Sequence, residues 1–280
     1  MSPRTSLVPW DPSPCFRMEL PRVPCRAWDV CLLKALLAEF MGTGIFLFTG
    51  LASPNPLHVS LAFGSSVALM SYYALPLSGG HLNPAVTVSM LVAVKVRPAW
   101  AMCYILAQLL GGITASALLY GLTPEHARGE MGVNKVSNES QGSGELVLLG
   151  EVIVSFQLVL CILATSGSKR DPAKGGHLVI GLSVMLGHLA AIGYTGCSMN
   201  PARSLGPALI TFEFANHWVF WLGPLGGGLA AAILNELVLA PTGSGFRQWL
   251  AMLQEGPKAE LNLQSKAEST TQEMGLSETP

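Results

Sequence analysis

Residues 78–87 read Ser78-Gly79-Gly80-His81-Leu82-Asn83-Pro84-Ala85-Val86-Thr87, and residues 195–204 read Thr195-Gly196-Cys197-Ser198-Met199-Asn200-Pro201-Ala202-Arg203-Ser204. Each carries Asn-Pro-Ala at the head of a mostly apolar stretch, 83–93 and 200–210. At that length neither can cross a hydrocarbon layer, which takes about 20 helical residues, yet both are too apolar for an exposed loop. Asn is a favoured N-cap, and Pro fits the first helical turn, where its missing N–H costs nothing. Each motif therefore predicts a half-helix that enters the membrane without spanning it.

The flanking sequence supports this. Between Glu39 and Lys95 run 55 consecutive residues without Asp, Glu, Lys or Arg, and further uncharged runs cover 98–124, 175–202 and 214–235. Only 12% of the 280 residues are charged, against about 25% in ordinary soluble domains. Half the residues are apolar and the mean hydropathy is positive, so the chain cannot clothe a soluble globule. Six spans are predicted, at about 31–52, 57–76, 98–121, 145–166, 177–195 and 216–240. Glu39 precedes Asn83 by 44 residues and Glu151 precedes Asn200 by 49, so three spans and a half-helix occur twice. Three is odd, and the second copy is therefore inverted in the membrane. The predicted fold is an all-α membrane protein with six transmembrane helices and two re-entrant half-helices. Its repeats cover about 31–121 and 145–240, within a membrane domain at 31–240. Residues 1–30 form an N-terminal segment, and 241–280 a polar tail in which 246–253 could make a short interfacial helix.

Lys and Arg placement orients the chain. Arg4, Arg17, Arg22, Arg26, Lys34, Lys95, Arg97, Lys169, Arg170, Lys174, Arg247, Lys258 and Lys266 share one side, which leaves Arg128, Lys135 and Arg203 elsewhere. The expectation is a multi-pass protein of the plasma membrane or an intracellular vesicle membrane, with both termini cytoplasmic. A net charge of −1 gives no field for nucleic acid. The six cysteines have neither metal-ligand nor CxxC spacing, so no metal and no cofactor are expected. Cys103 and Cys161, inside apolar runs, read as small core residues. The first 30 residues lack the apolar region of a signal peptide.

The chemistry gathers where the half-helix N-termini meet. Two positive dipole ends then face one point, a field hostile to cations. Asn83 and Asn200 each cap their own helix through the side-chain oxygen, which turns the NH₂ groups outward as donors for one water oxygen. Arg203, three residues beyond Asn200, shares its helix face about 4.5 Å nearer the outside. An intramembrane Arg is costly and marks function by default. Phe63 early in span two and His188 late in span five fall at the same depth. Glu39 and Glu151 occupy matching positions and are expected to hold unpaired loop N–H groups as scaffold rather than to move protons. His81 reads as a lining residue of the inner vestibule. Gly112 with Ser116, and Gly223, Gly227 and Ala231, suit close helix contacts. Asn138-Glu139-Ser140 is a glycosylation acceptor on the outer loop after span three.

From about Ala38 to Leu239 the chain resembles the aquaporins of the major intrinsic protein family, especially their water-selective vertebrate subgroup. The resemblance rests on the two loop motifs, on Ala38-Glu39-Phe40 and on His217-Trp218-Val219-Phe220-Trp221. It implies that Phe63, His188, Cys197 and Arg203 form the selectivity filter in its narrow, water-selective version, with Cys197 on the pore where a mercurial could block flow. The glycerol-conducting branch carries Asp after the matching Arg and a small residue for the His; here stand Ser204 and His188. The resemblance also implies a homotetramer with one pore per subunit. The expected function is a passive water channel across a lipid bilayer, excluding protons and ions by bore, lining donors, Arg and half-helix dipoles, an established scheme for such pores. Rival readings are an ion, anion or small neutral solute channel on the same fold, and a junction or adhesion protein. Two features depart from the family: Glu236 near the inner end of span six, where related channels carry an uncharged residue, and the extended Pro-rich N-terminus.

Overall fold

Eight α-helices form in a computed structural model that describes residues 25–136, 144–166 and 175–239. They are α1 (Cys25–Leu51), α2 (Pro56–Ser78), α3 (Pro84–Val92), α4 (Pro98–Leu122), α5 (Gly144–Thr165), α6 (Gly176–Thr195), α7 (Pro201–Thr211) and α8 (Val219–Leu234). A π-helical turn over Asn235–Leu239 extends α8. Six of these elements are long and apolar enough to cross a membrane. The other two, α3 and α7, have 9 and 11 residues. They reach about 14 and 16 Å, roughly half of a 30 Å hydrocarbon core. Asn138, the basic residues of 167–174 and the tail from 240, with its expected interfacial helix, lie outside the described residues.

Local chemistry sets the boundaries. Asn55 caps α2 by accepting from the His58 N–H at 3.0 Å, and Pro56 opens the helix. Gly79 and Gly196 end α2 and α6 in the left-handed conformation (φ 90° and 71°), which costs glycine nothing. The last span begins at Val219 rather than 216, because hydrogen-bonded turns over 214–219 come first.

The packing is that of an inverted repeat. Just as α1 lies against α2 and α4, so α5 lies against α6 and α8; α2 meets α6, and α3 meets α7. The half-helices are exchanged, with α3 against α8 and α7 against α4. Small residues permit these approaches. A Cβ on Gly64 would fall 2.8 Å from the Gly181 carbonyl, and one on Gly112 2.6 Å from that of Ala202. One on Gly223 would lie 2.5 Å from Cβ of Glu151, and Gly227 sits on the Val152 backbone. The predicted small-residue stripes thus serve contacts within this chain.

Exposed leucines such as Leu69, Leu106, Leu110 and Leu186 cover the outside. Cys103 and Cys161 are only half-buried, contrary to the core reading. In a membrane helix an apolar run does not tell the face turned to lipid from the face turned inward. Cys31 is disulfide-bonded, whereas Cys103, Cys161 and Cys197 are free thiols.

Candidate functional site

Asn83 and Asn200 sit at the N-caps of α3 and α7 in extended backbone conformation. The Asn83 side-chain oxygen accepts from Ala85 N–H at 2.8 Å, and that of Asn200 from Ala202 N–H at 2.9 Å. Pro84 and Pro201 follow as the first helical residues, with Ala85 and Ala202 buried behind them. The NH₂ groups are more occupied than the sequence suggested. Asn83 Nδ2 donates to the Met199 carbonyl at 2.8 Å, and Asn200 Nδ2 to the Leu82 carbonyl at 2.9 Å. Each amide thus ties its own half-helix to the residue preceding the other, leaving one N–H to face elsewhere.

Those two carbonyls are aimed by uncommon backbone. Leu82 (φ 54°) and Met199 (φ 53°) are both left-handed, costing about 1–3 kcal/mol each. Buried carboxylates hold them. Glu39 accepts from Ser78 Oγ, from His81 N–H at 2.9 Å, from Leu82 N–H at 2.6 Å and from Gln108 Nε2 at 2.7 Å. Glu151 accepts from Thr195 Oγ1 at 2.6 Å, Ser198 N–H at 2.8 Å and Met199 N–H at 3.0 Å. Both are fully buried, and donors occupy both oxygens of each. Gln108 Nε2 also donates to Thr87 Oγ1, which lies 3.2 Å from Nδ1 of His81; the His81 ring stands edge-on to Tyr104.

Phe63, His188 and Arg203 come together from α2, α6 and α7. The Phe63 and His188 rings stack with centroids 4.6 Å apart, and the Arg203 guanidinium carbon lies 5.3 Å from the Phe63 centroid. Arg203 Nη1 donates to the Gly132 carbonyl and Nη2 to that of Gly196 at 3.2 Å, while its buried Nε has no partner in the protein. His188 Nδ1 lies 3.0 Å from the Val184 carbonyl, which can only accept, so Nδ1 carries the proton. In the neutral ring the buried, unpartnered Nε2 is then an acceptor.

One cavity includes Phe63, His188, Arg203, Asn83, Asn200 and His81 in its lining, with Val67, Val86, Leu158, Ile162, Ile180 and Val184 as apolar wall. Cys197 is absent from that lining. It is fully buried in the hydrophobic core, left-handed at φ 53°, with its N–H on Thr195 Oγ1. The left-handed turn before Asn200 turns this side chain inward, and sequence spacing does not register such a turn.

Sequence reasoning missed three participants. Gln108 was detectable as an amide inside an uncharged run. Gly132 and Asn134, in the loop after α4, carry no such mark: Asn134 Nδ2 donates to the Thr195 carbonyl, and its Oδ1 accepts from Ser204 Oγ. Glu236 is half-buried in the π-helical turn, accepting from Asn235 Nδ2 at 3.1 Å. Among the described residues no cluster of His, Cys, Asp and Glu could hold a metal ion.

Residues 26–235 match the family model for the major intrinsic protein. The chain is 41% identical to aquaporin-5 of Sus scrofa over 261 residues, which cover 89% of this chain and 98% of the relative. It is 43% identical to aquaporin-2 of Homo sapiens over 234 residues, covering 80% and 86%. An X-ray structure of the aquaglyceroporin from Plasmodium falciparum shares the fold with a TM-score of 0.67 at 22% identity, covering 75% of this chain and 98% of that one.

Proposed function

The chain belongs to the major intrinsic protein family of membrane channels, and we propose that it is a passive, water-selective pore moving water along osmotic gradients. The observation that carries this reading is that Phe63, His188 and Arg203 line one cavity, with Arg203 Nε and His188 Nε2 buried and unpartnered within the protein. Arg203 Nε–H can only donate, and neutral His188 Nε2 can only accept. A molecule passing both must accept from one and donate to the other while fitting beside the Phe63 ring, and water does both. Ser204 and His188 stand where the glycerol-conducting branch differs, which supports exclusion of glycerol.

Ions and protons are turned back by two further features. The guanidinium of Arg203 and the N-termini of α3 and α7 place positive potential along the bore. The free N–H of Asn83 and that of Asn200 would occupy both lone pairs of a water between the caps, so that water cannot accept a proton from its neighbour. Glu39 and Glu151 serve as scaffold and His81 lines the inner vestibule. Cys197 lies behind the filter wall as its fourth member. The assembly is a homotetramer in a plasma or vesicle membrane, with both termini cytoplasmic and Asn138, if glycosylated, outside.

The test is stopped-flow shrinkage of proteoliposomes in sucrose and then in glycerol, with Arg203→Val and His188→Ala beside the parent. Fast water flux with glycerol excluded, and glycerol admitted by both variants, is the expected result. Flux no faster than that of empty liposomes, with protein folded and inserted, overturns it. Current under voltage clamp would favour an ion channel, and vesicle clustering without flux an adhesion protein.

A further inference from the structure

We propose that Asn134, in the loop joining α4 to α5, is a positioning residue that fixes the Arg203 guanidinium and thereby sets which solutes pass. The inference rests on the water-filter reading above. Asn134 is only 3% exposed, although it lies in a loop between spans. Its amide is spent on both sides of Arg203. Nδ2 donates to the Thr195 carbonyl at 3.0 Å, at the end of α6, and Oδ1 accepts from Ser204 Oγ at 2.8 Å, one residue past the Arg. Two residues earlier in the same loop, the Gly132 carbonyl accepts from Arg203 Nη1.

The loop is held tightly enough for this to matter. Gly132 is left-handed (φ 70°), and a Cβ there would fall 2.6 Å from Leu51 Cδ2. Gly196, whose carbonyl takes Arg203 Nη2, lies so close that its Cβ would sit 3.1 Å from Asn134 Nδ2. Both carbonyls that orient the guanidinium therefore depend on the Asn134 clamp. Only an amide offers a donor and an acceptor in one fixed plane at this size. Alanine offers neither. Aspartate keeps the acceptor for Ser204 and sets a carboxylate against the Thr195 carbonyl. Once the clamp is lost, the guanidinium swings and the aperture beside Phe63 widens.

The readout is the ratio of glycerol to water permeability, measured by stopped flow on the full chain in proteoliposomes. Asn134→Ala is expected to raise it about fivefold, the equivalent of a lost hydrogen bond of roughly 1 kcal/mol. Asn134→Asp is expected to raise it less, and it serves as the second variant if the alanine form does not insert. In Asn134→Ala combined with Arg203→Val, the ratio should be no higher than in Arg203→Val alone, because the clamp acts through the Arg. Gln157→Leu removes a half-buried bond to Ser183 outside the cavity lining. It should keep the parent ratio whatever it does to the melting temperature. A parent-like ratio in folded Asn134 variants, or effects that multiply with Arg203→Val, overturn the proposal. If Arg203→Val itself admits no glycerol, the underlying filter reading fails instead.

Discussion

Replacing Glu151 by Leu should come close to unfolding the protein, and the structure says by how much. Its carboxylate takes three buried donors: the Thr195 hydroxyl and the N–H groups of Ser198 and Met199. Leu fills similar volume and accepts none of them. A buried donor left unpaired costs about 1–3 kcal/mol, so the three together cost roughly 3–9 kcal/mol. Total stabilities lie at about 5–15 kcal/mol. Glu151→Gln is the graded companion. Its remaining oxygen can keep Thr195 and Ser198, while its NH₂ faces the Met199 N–H, leaving both of those donors unpaired at about 1–3 kcal/mol each. Met199 is also the left-handed residue whose carbonyl takes Asn83 Nδ2, so water flux in surviving protein should fall as well. Thermal melting of the purified protein in detergent should rank parent above Gln above Leu. A Leu variant that melts with the parent and conducts like it would refute the scaffold reasoning.

Three further outcomes follow from packing and burial. Gly64→Ala puts a methyl 2.6 Å from Met185 Cβ and should lower stability by about 1–3 kcal/mol, whereas Gly150→Ala meets nothing within 4 Å and should be neutral or slightly stabilising in the same melts. Partial burial holds the His217 pKa, in the loop between α7 and α8, below its ordinary 6.5. The unfolded chain then binds the extra proton first, so stability is full above about pH 6.5 and declines as pH falls below it. His217→Phe should flatten that acid slope, and an unchanged slope would assign it elsewhere. Because Cys197 is fully buried, mercurial inhibition should set in slowly, and Cys197→Ser should abolish it; inhibition that persists would point to Cys103 or Cys161.

The span count, the half-helices and the duplication were legible because charge is nearly forbidden in a hydrocarbon layer, and its absence therefore leaves a mark in composition. Phe63, His188 and Arg203 were placed at one depth by position along spans of known direction, and they do meet. What escaped depends on backbone detail. The left-handed turns at Leu82, Cys197 and Met199 decide where carbonyls and the Cys197 side chain point, and nothing in these apolar residue types announces such a turn. The His188 tautomer hangs on one carbonyl a helical turn away. Asn134 sits in a loop rich in polar residues, where one amide looks like any other.

The exchange of half-helices also constrains the order in which the molecule can be made. When α3 leaves the ribosome, its main packing surface, α8, is not yet made, and Ser89 and Ala85 must wait for Gly228 in the last span. Until then α3 is held in the first repeat only by α4 and the Gln108 bond to Thr87, with its α8 face uncovered, while α7 finds α4 already in place. Biogenesis is therefore asymmetric although the finished structure is nearly symmetric, and the long sequence separation of the α3 contact makes its closure a late, slow step. A chain cut after α7 should leave the α8 face of the first half-helix uncovered, and α8 supplied as a separate peptide should restore the contact.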